Sequence, residues 1–218
     1  MGVVKMDNDI HGYDRRLEKL TRNIDALEID EDSKTLLHGY ERDLLLYEAL
    51  SKPRRERLIS SFLWLIKNTF KKPIKEIKLE DVKGAVEDIE KADYSPWTKS
   101  LYKISIRKIF RWRAYGPNKL KEYPPLVSWI KVHVKKKDQP RVQTSAILTE
   151  GEVHKLIEAA DTSRSRAFLS MLYELGARIS EIGNLKIKDL TRDEYSYIVD
   201  LVGKTGHRTP RIVLLSNA

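Results

Sequence analysis

Helical periodicity runs through the first half of the chain and limits the fold more than any other feature. Apolar residues recur at spacings of three and four through residues 14–28, with charged residues between them, which is typical of an amphipathic helix. Comparable patterns predict four more helices, over residues 33–50, 53–70, 80–91 and 95–115. No segment of this region alternates in the manner of a strand.

We therefore predict an N-terminal amphipathic helix within residues 1–32 and a helical domain over residues 33–134. The N-terminal helix is too short for a stable coiled coil on its own. It packs either on its own domain or against a second protomer, and the sequence leaves both open.

The polar segment KKKDQPRVQTS, residues 135–145, interrupts this pattern and is predicted to be a basic linker. Helical periodicity then resumes. Thr149, followed three residues later by Glu152, has the pattern of a capping box. A further helix over residues 163–175 is expected to end at Gly176.

Short β-type runs appear only near the C-terminus. YSYIVDLVG and RTPRIVLL are separated by KTGH, which predicts a hairpin with Gly206 in its turn. The predicted fold is mainly α with a small β-hairpin: a helical domain joined by a basic linker to a smaller α+β domain over residues 146–218.

The charge of the chain favours a polyanionic partner. It has 41 Lys and Arg against 32 Asp and Glu, a formal net charge of +9, which suits nucleic acid. A solvated, charge-rich surface is the alternative. Two clusters favour DNA, a helical stripe at steps of four and a group in the linker. Their residues are Lys99, Lys103, Arg107 and Arg111, and Lys135, Lys136, Lys137 and Arg141.

Composition argues against several classes of protein. The chain has no cysteine, which excludes disulfides and Cys-ligated zinc. It shows neither the apolar run of a signal peptide nor an apolar stretch of membrane-spanning length. We expect a soluble protein in the cytoplasm.

Arg178, in LYELGARISEIGNLKIKDL, lies close to positions that a helical register would make apolar. An unpaired guanidinium beside apolar packing is costly, so Arg178 needs an anion. Glu181, three residues later, could supply it in a purely structural pair. Alternatively, Glu181 orients an arginine whose remaining donors bind a phosphate, which the guanidinium fork suits well.

This stretch and VDLVGKTGHRTPRIVLL together resemble the opening of the catalytic domain of the tyrosine recombinase (phage integrase) family. The shared features are an Arg followed three residues later by a Glu, an apolar-rich helix, and a β-hairpin. That hairpin carries Gly-Lys before its turn and an Arg-containing strand after it. The resemblance extends back to about residue 33, where the helical, basic region is similar to the family's SAM-like core-binding domain, which binds DNA.

The resemblance implies roles for three residues. Arg178 would bind the scissile phosphate and stabilise its transition state. Lys204 would protonate the leaving 5′ oxygen, although a solvated turn residue is the alternative for it. Glu181 would hold Arg178. No metal or nucleotide cofactor is implied, because a tyrosine takes over the phosphodiester bond.

The complete protein would then be a site-specific DNA recombinase, of the kind that integrates viral genomes or mobile elements and assembles as a tetramer on DNA. The family's remaining catalytic groups follow the hairpin and cannot be mapped onto this chain, and Tyr195 and Tyr197 precede it. We therefore expect the 218 residues to be a monomer that binds double-stranded DNA without cutting it. A non-enzymatic DNA-binding or regulatory protein that retains a recombinase-like module is the main alternative, and an interaction-only protein is a third.

Overall fold

The computed structural model describes residues 12–117, 122–138, 144–203 and 206–212. The chain forms two compact units, one inside residues 11–140 and the other inside residues 141–218. We call them the helical unit and the α+β unit. The boundary between them falls inside the segment predicted as a linker.

The helical unit is built from six α-helices in the described residues. They are α1 (Tyr13–Asp25), α2 (Glu31–Leu46), α3 (Lys52–Leu65), α4 (Leu79–Lys91), α5 (Pro96–Tyr115) and α6 (Pro125–Ser128). Helix α3 continues into a π-helical turn, Ile66–Phe70, and 3-10 turns cover Ile74–Glu76 and Lys136–Asp138.

Local capping explains where these helices begin. The Asp30 carboxylate accepts a hydrogen bond from the backbone N–H of Ser33 at 2.9 Å, so α2 starts two residues before the predicted position. Ser95 caps α5 in the same way, accepting the backbone N–H of Thr98, and Pro96 lies in the first turn. Helix α5 ends at Tyr115, because Gly116 leaves the helical conformation.

Helix α1 belongs to the core of the helical unit. Leu20 and Ile24 are buried in the same cluster as Phe62 of α3 and Phe110 of α5. The rings of Phe62 and Phe110 meet edge to face, with centroids 6.0 Å apart. Each such side chain contributes about 1.5–3 kcal/mol when fully buried, so this core holds α1 on its own unit.

The α+β unit contains three α-helices and five short strands in the described residues. The helices are α7 (Glu150–Glu158), α8 (Ser163–Leu175) and α9 (Ile179–Gly183). The strands are β1 (Leu190–Arg192), β2 (Tyr197–Val199), β3 (Leu201–Gly203), β4 (Gly206–Arg208) and β5 (Arg211–Ile212). The predicted Thr149–Glu152 capping box is present, and Gly176 ends α8 with a φ of 52°.

The strands form two antiparallel sheets rather than the single hairpin predicted. One has the order β1-β2-β5, and the other pairs β3 with β4. Asp200 interrupts the first predicted run, and its backbone N–H donates to the carbonyl of Asp189. In the β3–β4 pair, Gly203 is opposite Gly206, and Gly206 begins β4 with a φ of 111°.

The sequence patterns do not predict strand β1, because TRDEYSY is mostly polar. In the structure, the Asp193 carboxylate accepts backbone N–H groups of Tyr195 and Ser196 at 2.9 and 2.8 Å. This Asx turn closes a β1–β2 hairpin. The sheets pack on the helices through a core of Leu175, Ile182, Val199, Leu201 and Ile212.

In the part of the chain that the structure describes, no helix combines the length and the apolar character needed to cross a bilayer.

Candidate functional site

Arg178 occupies the N-cap position of α9, directly after the turn that ends α8. Its backbone is extended, with φ −74° and ψ 149°. Glu181 is the third residue of the helix, and its carboxylate Oε2 accepts the backbone N–H of Arg178 at 3.0 Å. Arg178 thus opens a new helix and does not lie within an apolar face, and 56% of its side chain is exposed.

The Arg178 guanidinium is held by the same carboxylate. Nη1 donates to Glu181 Oε1 at 2.6 Å, so the pair expected from the sequence is present. Among the described residues, Glu181 is the partner of this guanidinium, and more than half of the Arg178 side chain is exposed. An exposed planar cation with free donors can take the two oxygens of a phosphate.

Arg208 of β4 makes a second ion pair with Glu181. Its Nη2 donates to Oε2 at 3.0 Å, while 45% of the Arg208 side chain remains exposed. The carboxylate itself is buried, with 4% of its side chain exposed. Two guanidinium groups therefore share one buried anion, which leaves the group with one net positive charge.

Hydrogen bonds hold Glu181 ionised. The backbone N–H of Arg178 and then its guanidinium lower the pKa of Glu181 most, and Arg208 lowers it further. Burial acts in the opposite direction, but the pKa still falls to about 2. The carboxylate is therefore charged at neutral pH, where it can pair with both arginines.

Gly203 makes room for this carboxylate. A Cβ on Gly203 would lie 2.9 Å from Glu181 Cδ and closer still to Oε1, nearer than real side chains approach. The last residue of β3 therefore has to lack a side chain for Glu181 to occupy its position. Neither Gly203 nor Arg208 was selected from the sequence, although Gly-Lys and an Arg-containing strand were part of the pattern recognised there.

Lys204 lies outside the described residues. In the sequence it directly follows Gly203, the last residue of β3. Its role as a proton donor stays a prediction.

In the helical unit, the structure brings part of both basic clusters together. Lys99 and Lys103 of α5 line a cleft of about 590 Å³ with Lys131, His133 and Lys135 of the segment after α6. We call this the basic cleft.

Two acidic groups and the aromatic rings of Tyr94 and Trp129 also line the basic cleft. Lys103 Nζ donates to Glu90 Oε1, and Lys99 Nζ donates to the backbone carbonyl of Glu90, each at 2.6 Å. The lining contains two carboxylates, Glu90 and Asp138, and four lysines, so positive charge remains in excess. Trp129 exposes its ring in the cleft, and its indole N–H donates to the carbonyl of Leu126 at 2.9 Å.

The other two residues of the stripe do not join the cleft lining. The Arg107 guanidinium lies over the ring of Tyr123, 3.8 Å from its centroid. Arg111 is 3% exposed and pairs with Glu48, which Lys108 also contacts.

Helix geometry explains why the expected continuous cationic face does not form. Four residues advance the helix by about 400°, so each step turns the stripe by about 40°. From Lys99 to Arg111 the direction changes by about 120°. Burial removes Arg111 from the surface expected for it.

The remaining linker residues are only partly described. Lys136 is exposed in the 3-10 turn that follows Lys135. The side chain of Lys137 and all of Arg141 lie outside the described residues. Within the described ranges, no three His, Asp or Glu side chains are placed to hold a metal ion.

The pKa of Glu181 predicts an acid-sensitive α+β unit. The folded-state pKa, about 2, lies below the ordinary value of 4.5. The stability contributed by the ionised group is therefore present above pH 4.5 and is lost as the pH falls toward 2. Glu181→Gln should lower stability at neutral pH and flatten the dependence between these two values, measured by hydrogen exchange of α+β-unit amides.

Glu158→Gln, at the exposed end of α7, is the matched control and should keep the wild-type dependence. Equal pH profiles for wild type and Glu181→Gln would contradict the assignment of this ionisation to Glu181.

Comparison with known proteins matches the part of the chain that carries this site to one family. Residues 146–218 match the phage integrase family, a range that includes Arg178, Glu181, Gly203 and Arg208. The chain is also 42% identical over 59 residues to the tyrosine recombinase XerA of Pyrococcus horikoshii. That similarity covers 27% of this chain and 20% of the length of XerA.

Proposed function

We propose, on the premise that residues 146–218 belong to the phage integrase family, that this chain is the DNA-binding N-terminal portion of a site-specific tyrosine recombinase. The complete protein would cleave and rejoin DNA strands through a 3′-phosphotyrosine. The observation that carries the proposal is the exposed Arg178 guanidinium held by buried, ionised Glu181 within the matched range.

The geometry supports a phosphate-binding role for Arg178. One of its donors is used by Glu181, and the side chain is more than half exposed at the start of α9. A fork in this position can bind two oxygens of the scissile phosphate and stabilise the extra negative charge of its five-coordinate transition state. Because Glu181 stays ionised, its ion pair with the arginine is in place before substrate binds.

Lys204 would complete the chemistry that this chain supplies. It follows the strand whose last residue packs on Glu181, and a lysine there could protonate the leaving 5′ oxygen. The tyrosine nucleophile is not assigned to any residue of this chain. We propose that the 218 residues bind DNA without cleaving it and act as a tetramer only within the complete protein.

The basic cleft would contact the phosphate backbone of the duplex. Backbone contacts position a protein on DNA and supply most of its salt-dependent affinity. Lys131 and Lys135 are exposed, and neither has an ion-pair partner among the described residues. They are therefore better candidates for phosphate contacts than Lys103, which is paired with Glu90.

A salt series tests the DNA-binding proposal. The double substitution Lys131→Gln and Lys135→Gln should weaken binding of the 218-residue chain to duplex DNA at every sequence tested. It should also reduce the slope of log affinity against log salt by about 1 for each phosphate that the variant no longer neutralises. Fluorescence anisotropy with a labelled duplex measures both quantities.

The matched control makes the same change of charge away from the cleft. Lys75→Gln and Lys83→Gln replace two exposed lysines that pair with Asp32 and Glu80. Equal salt slopes for the cleft and control variants would remove the cleft from the DNA interface. No measurable binding by the wild type at low salt would contradict the proposed function.

A further inference from the structure

The β3–β4 hairpin contacts Glu181 at two points, one on each strand. Gly203 at the end of β3 packs against the carboxylate. Arg208 at the end of β4 donates to the same carboxylate at 3.0 Å. In the strand register Arg208 is opposite Leu201, and Gly203 is opposite Gly206. The two contacts with Glu181 therefore come from opposite ends of the hairpin.

The two oxygens of Glu181 divide these contacts. Oε1 accepts a hydrogen bond from Nη1 of Arg178. Oε2 accepts two, one from the backbone N–H of Arg178 and one from Nη2 of Arg208. One buried anion therefore fixes the direction of Arg178 and the position of the hairpin together. A shift of either element changes the hydrogen bonds of the other.

Apolar packing alone would leave the orientation of the hairpin less strictly fixed. Leu201 of β3 and Ile182 of α9 share the small core of the α+β unit, but apolar contact is not directional. Charge-assisted hydrogen bonds fix both distance and angle. Arg208 of β4 supplies such a bond. Lys204 directly follows β3, the other strand of this hairpin, in the sequence.

We propose that Arg208 is a positioning residue that couples the β3–β4 hairpin to Arg178 through their shared contact with Glu181. The proposal rests on the proposed function, in which Lys204 and Arg178 act on one phosphate. Two groups that act on one reacting centre need a fixed separation, since a misplacement of about 1 Å can cost about 100-fold in rate. Arg208 keeps the hairpin in that register.

Nuclear magnetic resonance of the 218-residue chain tests this coupling, with inorganic phosphate as the probe. The variants are Arg208→Gln, which removes the charged donor, and Arg208→Lys, which keeps the charge. Arg211→Gln is the matched control, because Arg211 lies on the neighbouring β5 and pairs with Asp193 instead. The readouts are the Nε–Hε signal of Arg178 during a phosphate titration, and hydrogen exchange of the Leu201 and Arg208 amides.

Arg208→Gln should move the Arg178 signal, weaken phosphate binding there several-fold, and speed exchange in the hairpin by about tenfold. Arg208→Lys should restore part of both effects. Arg211→Gln should change neither. Variants that fail to fold are recognised by the loss of all α+β-unit signals. If Arg208→Gln fails to fold, the comparison of Arg208→Lys with the wild type decides whether Arg208 couples the hairpin to Arg178.

Two results would overturn the proposal. Arg208→Gln could behave like Arg211→Gln in every readout, or it could speed exchange without changing the Arg178 signal, which would make Arg208 a structural contact alone. If the wild type gives no phosphate response at Arg178, the phosphate site of the proposed function fails. The Arg208 proposal is then decided by the Arg178 Nε–Hε signal measured without phosphate. Arg208→Gln must move that signal, and Arg208→Lys must restore part of its wild-type position.

Discussion

Replacing Gly203 with alanine is expected to destabilise the α+β unit by about 1–3 kcal/mol, the usual cost of overpacking a well-filled site. The added methyl would overlap the Glu181 carboxylate. That carboxylate cannot move aside freely, because it holds the Arg178 backbone and both guanidinium groups. Either β3 shifts away from α9 or these hydrogen bonds break.

Hydrogen exchange of α+β-unit amides, such as those of Ile182 and Val199, measures this destabilisation. The four tryptophans, Trp64, Trp97, Trp112 and Trp129, all precede residue 130. Tryptophan fluorescence therefore reports the helical unit, which should unfold as in the wild type.

Gly151→Ala is the matched control for this substitution. Gly151 lies in the first turn of α7, and a Cβ there meets nothing within 4 Å. Alanine in a helix is favoured over glycine by up to about 1 kcal/mol, so this variant should be neutral or slightly more stable. Wild-type stability of Gly203→Ala would contradict the packing of Gly203 against Glu181.

Arg178→Ala, made in a chain extended to the complete recombinase, is expected to lower the rate of DNA cleavage by at least about 100–1,000-fold. This is the usual cost of removing a group that stabilises transition-state charge. Affinity for DNA should fall far less, because Arg178 makes one phosphate contact among many. Formation of a covalent adduct with a suicide DNA substrate measures the rate.

Arg211→Ala is the control for this experiment, since it removes an arginine of the same unit that does not contact Glu181. It should keep most of the activity. A wild-type rate for Arg178→Ala would exclude the proposed role of Arg178. An adduct formed by the 218 residues alone would contradict the proposal that they bind DNA without cleaving it.

Features that depend on neighbours in sequence were predictable. The cap at Ser95, the Thr149–Glu152 box and the turn at Gly176 are each decided by residues within a few positions. The Arg178–Glu181 pair is equally local, three residues apart.

Features that depend on distant partners were not predictable from the same patterns. Glu181 meets Arg208 from 27 residues away, and the requirement for Gly203 exists only because the hairpin folds back on α9. The stripe pattern assigned Arg111 to a DNA-binding face. Its ion pair with Glu48 could not be predicted from that pattern, because Glu48 is 63 residues earlier. Periodicity identifies which residues share a stripe, but only tertiary contacts decide which of them reach the surface.

The carboxylate shared by two arginines also determines what a pH–rate profile of the complete protein can report. The pKa of Glu181 is about 2, and guanidinium groups stay protonated at any ordinary assay pH. The three groups therefore keep one charge state, and an inflection between about pH 5 and pH 10 has to arise from another group. Such a profile would isolate the proton donor and the nucleophile from the arginines that bind the phosphate.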